Sequence, residues 1–133
     1  MKRNLLLSFL TIFLIGMNAQ AQEALFGAQQ ITSPEIHENS TVTFRIFAPS
    51  ASTVHVTGDF LSTVKMETPM GEMDGPGKAE LTKDDKGIWS FTSEMLSPEL
   101  YSYSFIVDGL KTTDPNNPFL IRDVASVTNV FIV

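Results

Sequence analysis

The chain has 133 residues, no cysteine and a formal net charge of −6, with a pI near 4.7. That length allows one domain with a modest core and leaves no room for a second. The acidic balance, without a cluster of Lys and Arg, argues against a nucleic-acid partner, and the lack of Cys excludes disulfides, thiolate metal sites and a lipidated N-terminal cysteine.

Residues 1–21 read as an export signal. Lys2 and Arg3 precede an apolar run from Leu5 to Ile15 broken only by Ser8 and Thr11, and Ala19-Gln20-Ala21 supplies the small residues of a cleavage site. The run is shorter than the roughly 20 residues that span a bilayer, so no membrane anchor is expected. A periplasmic or extracellular location, of the Gram-negative kind, is. Loss of Lys2 and Arg3 would take the charge from −6 to −8. Residues 22–33 form a mixed leader, and 34–133 the folded domain.

From residue 34 onward the apolar spacing is two, the period of half-buried strands. Ile36 to Glu38 is a short first candidate. Val42, Phe44 and Ile46 alternate with Thr41, Thr43 and Arg45, and Ala48-Pro49 ends that run because Pro has no N–H for a ladder. Val54 and Val56 follow, then Gly58-Asp59. Leu61 to Lys78 fits no simple strand. It carries Pro69, Gly71, Gly75, Pro76 and Gly77, and reads as a long loop bearing Met66, Met70 and Met73. Lys83 to Gly87 is a polar hairpin before Trp89 and Phe91. Tyr101, Tyr103, Phe105 and Val107 alternate up to Asp108-Gly109, a tight hairpin turn. Asp114-Pro115-Asn116-Asn117-Pro118 is a rigid loop. Val127, Asn129, Phe131 and Val133 share one face of the last strand, while Val130 and Ile132 make its other face apolar as well, so a cover is expected there. About seven strands with turns at these intervals predict an all-β fold, an immunoglobulin-like antiparallel sandwich.

Catalytic chemistry finds no residues to carry it. There is no Gly-x-Ser-x-Gly elbow. His55 lies between Val54 and Val56 on the outward side of its strand, and His37 has no evident partner. Asp84, Asp85, Asp108 and Asp114 sit beside Gly or Pro and read as turn formers, so no carboxylate pair suggests glycosidic chemistry. Asp74-Gly75 lacks the alternating acids of a calcium loop. No catalytic residue, metal site or cofactor is expected. Trp89, the one Trp, is a candidate sugar platform, although its face is shared with Phe91 and suits a core. Phe119, beside Pro118, is the more plausible exposed aromatic, although it could equally staple the loop to the sandwich. Arg122-Asp123 reads as a local ion pair.

Several of these pieces in order resemble the early-set module shared by glycogen-branching enzymes, debranching enzymes and the glycogen-binding module of the AMP-activated kinase β subunit. They are Phe44-Arg45, Ala48-Pro49, Val54-x-Val56-x-Gly58-Asp59-Phe60, Gly87-Ile88-Trp89, Tyr101-x-Tyr103-x-Phe105, Val107-Asp108-Gly109 and Asp114-Pro115. The resemblance implies a carbohydrate-binding relative. The residues that grip α-glucan in starch-binding members, two Trp, a Lys and an Asn, fall near Thr63 and on Lys111, Ser104 and Thr128, and this sequence departs at each. Lys111 therefore stands as a candidate by position only.

A second resemblance is to the N-terminal module of secreted esterases of gut-type Bacteroidetes. It is carried by Gly58-Asp59-Phe60-Leu61, Asp74-Gly75-Pro76-Gly77, Pro98 to Gly109, Asp114 to Asn117 and Ile121 to Asn129. It implies a non-catalytic accessory module that packs against an α/β-hydrolase esterase domain acting on plant polysaccharide. Contact with that domain would run through Met66, Met70, Met73, Arg122, Val130 and Ile132. The alternative it leaves is a binding module for xylan or α-glucan with a rearranged face.

Overall fold

The computed structural model describes residues 30–133. The expected signal segment and most of the leader lie outside the described residues. Twelve strands follow in chain order: β1 Glu35–Ile36, β2 Val42–Phe47, β3 Val54–Gly58, β4 Val64–Thr68, β5 Gly71–Gly75, β6 Gly77–Glu80, β7 Thr82–Lys83, β8 Ile88–Thr92, β9 Leu100–Val107, β10 Leu110–Thr112, β11 Leu120–Arg122 and β12 Val127–Ile132. One sheet runs β1-β2-β8-β7, and the other β11-β12-β9-β3-β6, with β10 also paired to β9. Every pairing is antiparallel. The all-β sandwich is thus the observed fold. Its strands outnumber the expected seven because β7, β10 and β11 are only two or three residues long, too short for alternation to mark them, and because β4 and β5 lie in the stretch read as a loop; the first candidate, Ile36 to Glu38, is observed as β1 at Glu35–Ile36.

Alternation fills the space between the sheets. Val42, Phe44 and Ile46 from β2, Trp89 from β8, Val54 and Val56 from β3, Tyr103 and Phe105 from β9, Phe131 from β12 and Leu81 form the core. Phe44 is its centre. Phe60 stacks on it at 4.9 Å, Tyr103 meets it edge-on at 4.8 Å, and Phe131 at 5.4 Å. Each such fully buried apolar side chain contributes about 1.5–3 kcal/mol.

The turns behave as their residues dictate. Asp108 and Gly109 both take positive φ, 47° and 87°, the pattern that matches strand twist in a two-residue hairpin. The Asp108 carboxylate also accepts hydrogen bonds from the Ser52 and Thr53 N–H groups, tying this turn to the start of β3. Gly87, at φ 82°, closes the β7–β8 hairpin.

The long connection 61–78 is not a loop. β4 and β5 within it pair only with each other, as a two-stranded hairpin with Met66 opposite Met73. The sequence hid this because alternation there separates Met from charge rather than β-branched from polar residues.

Candidate functional site

The broad outer face of the six-stranded sheet gathers the positions of interest. Register across it places Lys111 opposite Ile106, Thr57 opposite Ser104, and Ile121 opposite Thr128. Lys111, Ser104 and Thr128, the positions at which the α-glucan contacts of related modules fall, therefore share one surface. None is aromatic. Lys111 and Thr63 are exposed, whereas Ser104 is buried and its hydroxyl has no hydrogen-bond partner. Asp59 caps this face: its carboxylate accepts from the Ser102 N–H and hydroxyl, which fixes the end of β3 against β9.

One corner of the sandwich holds a buried polar knot. Asp114, 2% exposed, accepts hydrogen bonds at one carboxylate oxygen from the Ser33 hydroxyl at 2.5 Å and the Tyr103 hydroxyl at 2.8 Å. Its other oxygen accepts from the Asn116 N–H. Its own N–H donates to Asn129 Oδ1 at 2.6 Å. Asn129 Nδ2 donates to the Asn117 carbonyl, and Asn117 Nδ2 to the Tyr103 hydroxyl and the Val130 carbonyl. Ser33 in turn accepts from the Arg45 N–H of β2. The knot thus joins both sheets, the segment before β1 and the β10–β11 loop.

Burial pushes the Asp114 carboxyl above its ordinary range, against the opposing pull of its hydrogen bonds, the Ser33 bond foremost. Burial, and then the Asp114 charge, push the Tyr103 phenol up as well. The reading of Asp114 as a turn former holds but is incomplete. The residue does close the Asp-Pro-Asn-Asn turn, but inside the domain. The signal in the sequence was Asn129, a polar residue on an otherwise apolar strand face.

The knot ends at Phe119. The Phe119 N–H donates to Asn117 Oδ1 at 2.9 Å, and its carbonyl accepts from the Val130 N–H at 3.0 Å. The side chain itself is 70% exposed.

Trp89 does not belong to any such surface. It is 6% exposed in the core, its Nε1–H donates to the Ala48 carbonyl, and Lys83 lies 5.5 Å from its ring centroid. Inward alternation with Phe44 and Ile46 across the β2–β8 pair removes it as a sugar platform.

The family model for carbohydrate-binding module 48 (isoamylase N-terminal domain) matches residues 25–118. The chain belongs to this family. Among solved structures, the module is similar to GBS pullulanase SAP in complex with maltotetraose, at 16% identity and a TM-score of 0.55, over 80% of this chain and 15% of that one. It is similar also to the multi-modular glycogen-degrading pneumococcal virulence factor SpuA in a product complex, at 17% identity and a TM-score of 0.55, over 86% of this chain and 13% of that one. These likenesses show the fold. The chain spans about an eighth to a seventh of those proteins' length.

The remaining positions in the module fall into two places. Met66, Met73 and Val64 lie on one face of the β4–β5 hairpin and are about half exposed, with Met66 folded over Gly75, while Met70 at the tip is 88% exposed. The other face is charged. Lys65 bridges Asp74 at 2.8 Å, and Glu67 directly faces Glu72. Ile132 opposes Leu100 at the end of the last strand; both are largely exposed, and Val130 is half-buried. The second face of β12 is therefore partly covered at Thr128 and Val130 and open at Ile132. Arg122 is exposed on β11. It makes no ion pair with Asp123, whose carboxylate instead accepts from the Ala125 and Ser126 N–H groups and the Ser126 hydroxyl, which holds its pKa down. The turn's own N–H groups are nearer than the Arg122 side chain.

His37 binds the Thr43 hydroxyl at 2.8 Å, and Thr43 binds Thr92, both polar contacts on the four-stranded sheet. His55 lies on β3 opposite Glu80 and Ile106. Among the described residues no three His, Cys, Asp or Glu side chains gather as a metal site.

Proposed function

We propose that this chain is the non-catalytic carbohydrate-binding module of a longer, exported carbohydrate-active protein, and that its ligand is an α-glucan of the maltooligosaccharide type. The observation that carries the reading is the family match over residues 25–118, set on an antiparallel sandwich. The names of the two similar structures, a pullulanase in complex with maltotetraose and a glycogen-degrading virulence factor, support the choice of glucan over xylan.

Native affinity electrophoresis of residues 22–133 through gels containing glycogen, starch or xylan tests it. Retardation on the glucans and none on xylan is the expected result. Free migration through all three would remove the reading.

A second reading keeps the module as a packing element for a catalytic domain in the same polypeptide. The observation that favours it is the exposure of Ile132 opposite Leu100 and of Met66, Met70 and Met73 on the hairpin, apolar side chains that a second domain would cover. An esterase as that domain rests on the sequence motifs alone. Under this reading, the chain by itself leaves p-nitrophenyl acetate and methyl ferulate uncleaved, and the native polypeptide from its source is much heavier than 14.7 kDa. Hydrolysis that persists through repurification and follows a single residue would overturn the non-catalytic assignment.

A further inference from the structure

We propose that Phe119 is the sugar-stacking platform of this module, moved from the family's usual aromatic positions to the edge of the six-stranded sheet, and that it takes the apolar face of a neutral pyranose. The proposal rests on the carbohydrate-binding reading above and names the surface through which it works.

A stacking ring needs exposure, a fixed backbone and an open approach. Phe119 has all three. The backbone on both sides of the ring is anchored: its N–H to Asn117 Oδ1 and its carbonyl to the Val130 N–H. Asn117 cannot swing, because its amide is itself held by the Tyr103 hydroxyl and the Val130 carbonyl. Pro118 restricts the chain just before the ring. The knot therefore spends buried polar side chains on rigidity, and the Phe119 ring is what emerges from it into solvent. An aromatic on an anchored backbone has only its side-chain torsions left to order when it binds, which keeps the entropy cost small. If the ring served only to staple the loop to the sandwich, it would not be 70% exposed.

The surroundings suit a sugar. β11 is the outermost strand of its sheet, so a polysaccharide chain can pass the ring without obstruction. Ile121 lies on the outer face opposite Thr128, and strand alternation continued back two residues puts Phe119 on that same side. Further across the sheet stand Ser102, opposite Val130, and then Asp59. With strands about 4.8 Å apart, hydroxyl and carboxylate groups lie at increasing distances from the ring, where a short oligosaccharide extending from it would present its own hydroxyls. The charges on this face are mixed, Lys78 and Lys111 against Glu80 and Asp59, which favours a neutral chain over an acidic one.

The test is affinity electrophoresis on glycogen together with calorimetric titration of maltoheptaose, on the 22–133 chain and three variants. Phe119→Ala is expected to weaken binding by about tenfold or more, the usual loss for an anchoring aromatic, at an unchanged melting temperature. Phe119→Trp should bind at least as well as the parent. Phe119→Leu, which keeps apolar bulk but has no flat ring, should bind as poorly as Phe119→Ala. A parent that binds glucan while Phe119→Ala or Phe119→Leu binds equally well would overturn the platform and leave the glucan reading intact. A parent that binds no polysaccharide would overturn both.

Discussion

Two proline-bearing connections in this module meet opposite fates. The β10–β11 loop, Thr113 to Phe119, is drawn into the sandwich and bound from several sides by Ser33, Tyr103, Asn129 and Val130. The β4–β5 hairpin, from Val64 to Gly75, pairs only with itself and is exposed along nearly its whole length. Both carry polar side chains, so polarity does not decide the outcome. What differs is the partner. Asp114 and Asn117 have short side chains that meet an inward-facing Asn129 and the Tyr103 hydroxyl, so each buried polar atom is repaid by a hydrogen bond. Glu67 and Glu72 face each other as like charges, which destabilises a cross-strand pair, and no other strand supports them. An isolated two-stranded hairpin is marginal in water.

Several substitutions would break or sharpen that contrast. The largest effect is expected from Asp114→Ala, which leaves the Ser33 and Tyr103 hydroxyls buried without their acceptor. It should cost about 3 kcal/mol in urea unfolding, and a loss below 1 kcal/mol would show the knot to be ornamental. Gly58→Ala comes next. A Cβ there would sit 2.6 Å from the Ser102 carbonyl oxygen, a backbone atom that cannot move aside without disturbing the β3–β9 ladder. About 1–3 kcal/mol of overpacking strain follows. The same change at Gly75 meets the flexible Met66 side chain instead, and should be milder in the same denaturation series.

A smaller effect tests the charge in the knot. Because the folded Asp114 pKa is raised above its unfolded value, its contribution is fully present below the unfolded pKa and fades as pH rises through the folded one. Stability measured upward from pH 3 should therefore contain a declining component that Asp114→Asn removes. Identical pH profiles for parent and variant would contradict this. The least effect belongs to the hairpin: Met66→Ala and Met73→Ala should each change global stability by no more than about 0.5 kcal/mol. A larger loss would mean that the arm is packed on something the sandwich depends upon.

Much of this was legible before the coordinates, for a physical reason. Strands β2, β3, β8, β9 and β12 are long enough for a two-residue period to repeat, and the Asp108-Gly109 and Gly87 turns announce their positive φ through residue type. Trp89 could be assigned inward from its alternation with Phe91. Strands β7, β10 and β11 could not be read, because two or three residues carry no period. The hairpin at 64–75 was hidden by its Met and Gly content, and Asp114 by a motif that serves surface turns and buried ones alike. For the proposed platform, the sequence shows which of the family's aromatic positions are empty, and the hydrogen bonds at the Phe119 N–H and carbonyl add that the backbone beneath this exposed ring is anchored.

The Ser33 hydroxyl has a consequence for how the protein tolerates trimming. It donates to Asp114 and accepts from the Arg45 N–H, so a residue upstream of the first strand is a fastener between the two layers. An exopeptidase nibbling inward would reach a threshold there. Digestion that removes Ser33 would leave a buried carboxylate short of a donor and a β2 amide short of an acceptor, whatever else survives. The cross-sheet fastening thus begins two residues before the first strand, at a serine that no pattern of hydrophobicity marks.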